Sequence, residues 1–122
     1  MPVVLIVDDN EKNRRLARDV LRAAGLQTLE AATGAAGIAV AVEHVPDVIL
    51  MDLRLPDMDG TEAAAKLQGT ERTARIPVIA FSATSLEGSG GWLEDAGFAG
   101  WLEKPIRVGT FAQEVRRYCA GG

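Results

Sequence analysis

Five apolar runs of strand length recur along the chain: Val3 to Val7, Gln27 to Ala31, Asp47 to Met51, Pro77 to Phe81 and Ala99 to Leu102. Between them lie segments with helical spacing. Val3 to Val7 in the first run and Val48 to Met51 in the third are continuously apolar instead of alternating, as expected of central parallel strands covered on both faces. In the first helical segment Leu16, Ala17, Val20, Leu21 and Ala24 line one face. Arg14, Arg15, Arg18 and Arg22 lie on or near the other, and Gly25 supplies the stop. The last segment reads alike, with Val108, Phe111, Ala112 and Val115 inward and Arg116 and Arg117 at the negative end of the helix dipole. Strand and helix alternate five times. The pattern predicts an α/β, doubly wound, five-stranded parallel sheet; right-handed crossovers limit the topologies to a few, of which the strand order 2-1-3-4-5 is favoured. Gly88-Ser89-Gly90-Gly91 interrupts the fourth helical segment, where each glycine costs roughly 1 kcal/mol relative to alanine.

Composition narrows the functional classes. A chain of 122 residues with 48% hydrophobic and 25% charged content is one domain's worth and can bury an ordinary core. The net charge of -4, with Lys and Arg nowhere in a run, argues against direct nucleic-acid binding. Cys119 is the only cysteine, so no intrachain disulfide and no Cys-based zinc site can be written, and it reads as a packing residue at a helix end. His44, the only histidine, reads as a solvent-facing helix-end residue, and Trp92 and Trp101 as packing residues. No basic leader precedes the first strand, and no apolar stretch approaches about 18 residues. The expectation is a soluble cytoplasmic protein with no membrane contact.

Open parallel sheets bind ligands beyond the carboxyl ends of their strands, so the residue ending each strand carries the information. The first strand ends in Asp8-Asp9, the third in Asp52, the fourth in Ser82, and the fifth runs into Lys104-Pro105. With the first and third strands adjacent, roughly 4.8 Å apart, Asp8, Asp9 and Asp52 crowd one edge. Unit charges about 4 Å apart repel by roughly 4 kcal/mol at an effective dielectric near 20, so the cluster binds a cation or holds a proton. Oxygen ligands alone favour Mg²⁺, which keeps several waters and leaves room for a phosphoryl oxygen. Asp52 is then the natural acceptor, with Ser82 and Lys104 each able to take one phosphoryl oxygen. Taken singly, these residues have plainer readings: Asp8, Asp9 or Asn10 as a helix cap, Asp52 as a turn cap, Ser82 as a loop polar and Lys104 as a solvated charge. Their conjunction at four strand ends is what favours a site.

Nearly the whole chain resembles the CheY-like receiver domains of two-component response regulators. The likeness rests on Val4-Leu5-Ile6-Val7-Asp8-Asp9-Asn10, on Pro46 through Gly60 around Met51-Asp52-Leu53, on Pro77-Val78-Ile79-Ala80-Phe81-Ser82-Ala83, and on Lys104-Pro105-Ile106. The Asp9-Asn10-Glu11-x-Asn13 start also resembles DivK-type single-domain regulators. The resemblance implies a flavodoxin-like (βα)5 fold in which residues 1–122 form one receiver domain with no effector domain. The Met1 start and short tail favour a whole protein. It also implies that Asp52 takes phosphate from a histidine-kinase phosphohistidine, that Asp8, Asp9, Asp52 and the Arg54 carbonyl hold Mg²⁺, and that Ser82 and Lys104 contact the phosphoryl group.

Family members share a cis peptide before the proline that follows the lysine, which here is Pro105. They also share a switch in which the hydroxyl, here Ser82, moves toward the phosphate and an aromatic side chain, here Trp101, turns inward. Trp is bulkier than the usual Tyr or Phe, so the inward rotamer is strained or always occupied. Arg54 and Thr84 resemble positions that tune phosphate loss. The implied partners are a sensor histidine kinase or phosphotransfer protein, and a downstream protein that reads the face of the fourth helix, fifth strand and fifth helix. Such a domain is no enzyme on outside substrates, since it catalyses only its own phosphotransfer and autodephosphorylation. Three alternatives stand beside this reading. An aspartyl phosphatase would need an Asp-x-Asp pair and a cap, and a flavodoxin-like cofactor binder would need a less acidic first loop. A phosphorylation-independent interaction module is favoured if Trp101 locks one state.

Overall fold

The computed structural model describes residues 2–82, 93, 95–104 and 106–119. Its strands are β1 (Val3–Val7), β2 (Gln27–Ala31), β3 (Val48–Asp52), β4 (Val78–Ser82) and β5 (Gly100–Glu103). The helices among the described residues are α1 (Glu11–Ala23), α2 (Gly34–His44), α3 (Gly60–Gln68) and α4 (Phe111–Cys119), the last being the fifth helical segment of the sequence. All strands pair in parallel, in the order β2-β1-β3-β4-β5. This is the flavodoxin-like, doubly wound arrangement expected from the alternation.

Side chains alternate across a strand, which explains the unbroken apolar runs: each face meets its own helical layer. Leu5, Val7, Ile49, Met51, Val78 and Ala80 pack with Ala41 of α2 and with Ala63, Ala64 and Leu67 of α3. On the opposite face Val4, Ile6, Val48, Leu50, Ile79 and Phe81 pack with Ala17 and Leu21 of α1 and with Phe111 and Val115 of α4. The Phe81 and Phe111 rings stack with centroids 6.0 Å apart. Cys119 packs against this second cluster, and burial pushes its thiol up to about 11, with the Asp47 charge adding to the effect.

Several sequence expectations need correction. The last three strands each begin and end one residue later than their apolar runs, because Asp52 pairs with Phe81 and Ser82 with Glu103 in the ladder, which carries each strand onto its polar end residue. Asp47 lies before β3 and accepts from the Val3 N–H at 2.7 Å, tying the starts of two strands. Leu16 is 41% exposed. A turn of about 100° per residue swings it away from the face that Ala17 and Leu21 bury. Val108 is 63% exposed and precedes α4, whose first buried position is Phe111. Trp101 is exposed on the edge strand, where a packing residue was expected. His44 does end α2 facing solvent. The Gly88 to Gly91 stretch, Trp92, Thr84 and the Lys104–Pro105 peptide lie outside the described residues.

Candidate functional site

Parallel strands deliver all their carboxyl ends to one edge, and β1, β3, β4 and β5 deliver Asp8, Asp52, Ser82 and Lys104 there. One cleft is lined by Asp8, Asp9, Asn10, Asn13, Asp52, Arg54, Ser82 and Lys104. The structure thus gathers the acid pair, the acceptor candidate, the hydroxyl, the lysine and Arg54.

The β1–α1 turn settles which residue caps the helix. Asn10 is the N-cap, its Oδ1 accepting from the Asn13 N–H at 3.1 Å. Asp8 and Asp9 are therefore not spent on capping. Asp8 is fully buried, and its Oδ1 accepts from the Asn10 N–H at 2.9 Å. Asp9 is exposed at the rim. Asp52 is 8% exposed, and its Oδ1 accepts from the Arg54 N–H at 3.0 Å, which fixes the plane of the carboxylate.

Lys104 is no solvated surface charge. Its backbone N–H donates to Ser82 O at 2.7 Å, continuing the β4–β5 pairing past the strand end. Its ammonium lies 4.9 Å from the Phe81 ring centroid, 2.6 Å from Asp8 Oδ2 and 3.2 Å from Asp52 Oδ2. The contact with Asp8 is an ion pair without hydrogen-bond angles, so buried Asp8 Oδ2 accepts no well-formed hydrogen bond. Burial raises the Asp52 pKa, and the Asp8 charge adds to this. The Arg54 N–H and the Lys104 charge oppose it without reversing it.

Asp8, Asp9 and Asp52 each present an oxygen, all within 4.8 Å of one another. The donor set is oxygen-only and includes a buried oxygen with unspent acceptor capacity. Those features fit a hard divalent cation.

Several further residues shape this edge through contacts that no sequence period predicts. Arg14 donates from Nη1 to the Asp8 carbonyl at 2.8 Å. In the β3–α3 loop Asp57 accepts from the Gly34 and Ala35 N–H groups at 2.8 and 2.9 Å, pinning the loop to the start of α2. Gly60 brings α3 so close against β3 that a Cβ there would run into the Asp52 backbone oxygen. Asp57 and Gly60 fall within the Pro46 to Gly60 stretch that carries the family resemblance, whereas nothing in the sequence sets Arg14 apart from its neighbouring arginines.

A family model described as response regulator receiver domain matches residues 4–116. The chain is 37% identical, over 94% of both chains, to the polar-differentiation response regulator DivK of Brucella ovis. The chemotaxis protein CheY4 of Vibrio cholerae superposes with a TM-score of 0.89 at 27% identity, covering 97% of this chain and 98% of that one. The receiver domain of a Pseudomonas aeruginosa sensor histidine kinase, described with a magnesium ion coordinated in its active-site cleft, superposes with a TM-score of 0.87 at 30% identity, covering 98% of each.

Proposed function

Because the chain belongs to the response-regulator receiver family of two-component signalling, we propose that Asp52 is its phosphoacceptor. The donor is the phosphohistidine of a sensor histidine kinase or phosphotransfer protein in the cytoplasm. A carboxylate oxygen of Asp52 attacks phosphorus as the P–N bond to imidazole breaks, leaving an acyl phosphate on Asp52 and a free histidine. The observation that carries this reading is a buried carboxylate at a strand end, 3.2 Å from a largely buried ammonium and grouped with two further acids.

The residues divide the work by geometry. The Arg54 N–H holds Oδ1 of Asp52 and leaves Oδ2 facing Lys104. Burial raises the carboxylate's proton affinity and with it its nucleophilicity. The Lys104 ammonium neutralises a phosphoryl oxygen, and the Ser82 hydroxyl donates to another. Asp8, Asp9, Asp52 and the Arg54 carbonyl would hold Mg²⁺, which supplies further neutralisation of phosphoryl charge. Hydrolysis of the acyl phosphate returns the domain to its starting state, so the chemistry is confined to the protein itself.

The output is a change of binding surface. Lys104 and Ser82 join β4 to β5 through a backbone hydrogen bond, and Trp101 lies three residues upstream of Lys104 on the same segment. Trp101 also borders a groove shared with Ile106, Arg107, Phe111 and Glu114. Drawing Ser82 and Lys104 onto a phosphate therefore acts on the strand that carries Trp101. We assign a downstream protein partner to this β5–α4 face. At 41% exposure Trp101 is not held inward, which speaks against an inward rotamer that is always occupied. No helix among the described residues is long and apolar enough to cross a membrane.

Tryptophan fluorescence titrated with Mg²⁺, followed by acetyl phosphate and intact mass, tests the proposal. A saturable Mg²⁺ response and an adduct of one phosphate that is absent in Asp52→Ala are expected. No adduct on the wild type, or an adduct that persists in Asp52→Ala, would overturn it.

A further inference from the structure

The buried acid Asp8 is held by more than the cleft residues. Its N–H donates to Ala31 O at 3.1 Å, from the end of β2, and its carbonyl accepts from Arg14 Nη1 at 2.8 Å, from α1. Arg14 Nε lies 3.5 Å from Glu30 Oε1, and Arg18 Nη1 lies 3.5 Å from Glu30 Oε2. Glu30 is the β2 residue preceding Ala31. The Arg14 side chain is 18% exposed and does not line the cleft. A guanidinium offers donors in fixed directions, so one edge can serve the Asp8 carbonyl while Nε faces Glu30. Lysine has no such fork.

Electrostatics alone makes this an odd place for a cation. A positive charge behind a cluster of acids lowers its affinity for a divalent cation. Its geometric effect runs the other way, because it holds the backbone of the most buried acid. Fixing that backbone fixes the direction of the Asp8 carboxylate, whose Oδ1 is already engaged by the Asn10 N–H and whose Oδ2 faces the site.

We infer that Arg14, anchored by Glu30, is a positioning residue that sets the affinity of the acidic cleft for its divalent cation by fixing Asp8. This rests on the cation-assisted reading of the site given above. Outer partners that orient metal ligands typically contribute on the order of 10- to 100-fold in metal affinity.

The test is the Mg²⁺ dissociation constant, read by tryptophan fluorescence on the full chain, for wild type, Arg14→Gln, Arg14→Lys and Arg18→Gln, with thermal melts confirming that each is folded. Arg14→Gln is expected to weaken Mg²⁺ by roughly 10-fold. Arg14→Lys, which keeps the charge and loses the fork, should weaken it in the same direction. Arg18→Gln, which touches Glu30 but not Asp8, should bind Mg²⁺ as the wild type does. Tighter or unchanged binding in Arg14→Gln, full affinity in Arg14→Lys, or an equal loss in Arg18→Gln overturns the inference. If Arg14→Gln does not fold, the Lys variant decides. A wild type that ignores Mg²⁺ sinks the reading of the site and this inference together, whereas a wild type that binds Mg²⁺ alongside unaffected Arg14 variants sinks this inference alone.

Discussion

Replacing Asp52 by Asn should make the metal-free protein more stable at neutral pH. The raised pKa of Asp52, caused chiefly by burial and then by the Asp8 charge, means that its ionised form is less at ease in the folded chain than in the unfolded one. Three contributions set the size of the effect. Asp8 and Asp52 oxygens within 4.8 Å repel by about 3.5 kcal/mol at an effective dielectric near 20, and Asn removes this. The attraction of Asp52 to Lys104 at 3.2 Å, about 5 kcal/mol on the same footing, is lost. These nearly offset each other, so the desolvation of the Asp52 carboxylate, several kcal/mol for a buried ion, decides the sign. Lys104 is not orphaned, because Asp8 remains 2.6 Å away, and Asn can still accept from the Arg54 N–H. The expected net gain is about 1–2 kcal/mol, or roughly 4–8 °C in Tm for a chain of this size.

Linkage fixes the pH profile of that gain. A carboxyl whose folded pKa is raised costs nothing below its unfolded pKa, about 3.9, and costs most once the pH exceeds the folded value. The Tm gap between Asp52→Asn and wild type should therefore be small near about pH 4 and widen as the solution is made neutral. Saturating Mg²⁺ should reverse the order, since a ligand at 100 times its Kd adds about 2.7 kcal/mol to the protein that binds it. Calorimetric melts in EDTA at several pH values, and in Mg²⁺, give the comparison. A neutral-pH variant less stable than wild type in EDTA, or a gap indifferent to acid, would refute the reasoning.

Other positions give independent checks. Val45, a β-branched residue at φ 46° preceding Pro46, caps the end of α2 in the left-handed region and is 42% exposed. Val45→Gly should raise the urea midpoint by the equivalent of about 1 kcal/mol, since strain relief exceeds the added chain entropy. Gly60→Ala drives a Cβ into Asp52 O and to 2.8 Å from Leu53 Cα, both backbone atoms. It should cost about 1–3 kcal/mol in urea denaturation and weaken Mg²⁺ binding with it. The Ala35 and Gly34 N–H groups hold the Asp57 carboxyl below its usual range. A lowered pKa gives stability that is present above the unfolded value and lost as the pH falls through the folded one. The stability advantage of wild type over Asp57→Asn should therefore shrink on acidification below about pH 4, as paired melts would show.

What the sequence made legible follows from how a parallel sheet is built. Central strands need apolar side chains on both faces, so Val4 to Val7 and Val48 to Met51 announce themselves as unbroken runs. Once the strands are placed, the residue after each run must fall at one edge, which is how Asp8, Asp52, Ser82 and Lys104 could be grouped without coordinates. The ends of the strands are less legible, because a change from apolar to polar does not mark where backbone pairing stops. Asp52 and Ser82 belong to the ladder through backbone pairing that is blind to side-chain polarity.

The contacts of the layer behind the cleft are less legible than its residues, and their geometry shows why. Asp57 meets Gly34 across a separation of 23 residues, and Arg14 meets Asp8 only because α1 is rotated to bury Ala17 and Leu21, which leaves Arg14 leaning back over the strand end. Neither contact obeys a period of two or of 3.6, since each depends on how a helix turns relative to the sheet. On α1, Arg14 and Arg15 differ by one position and look equivalent in sequence. In the fold Arg15 pairs with exposed Glu11 while Arg14 holds the carbonyl of the most buried acid in the site. The residues at the strand ends name the chemistry, and the orientation of the helices decides which neighbours govern its strength.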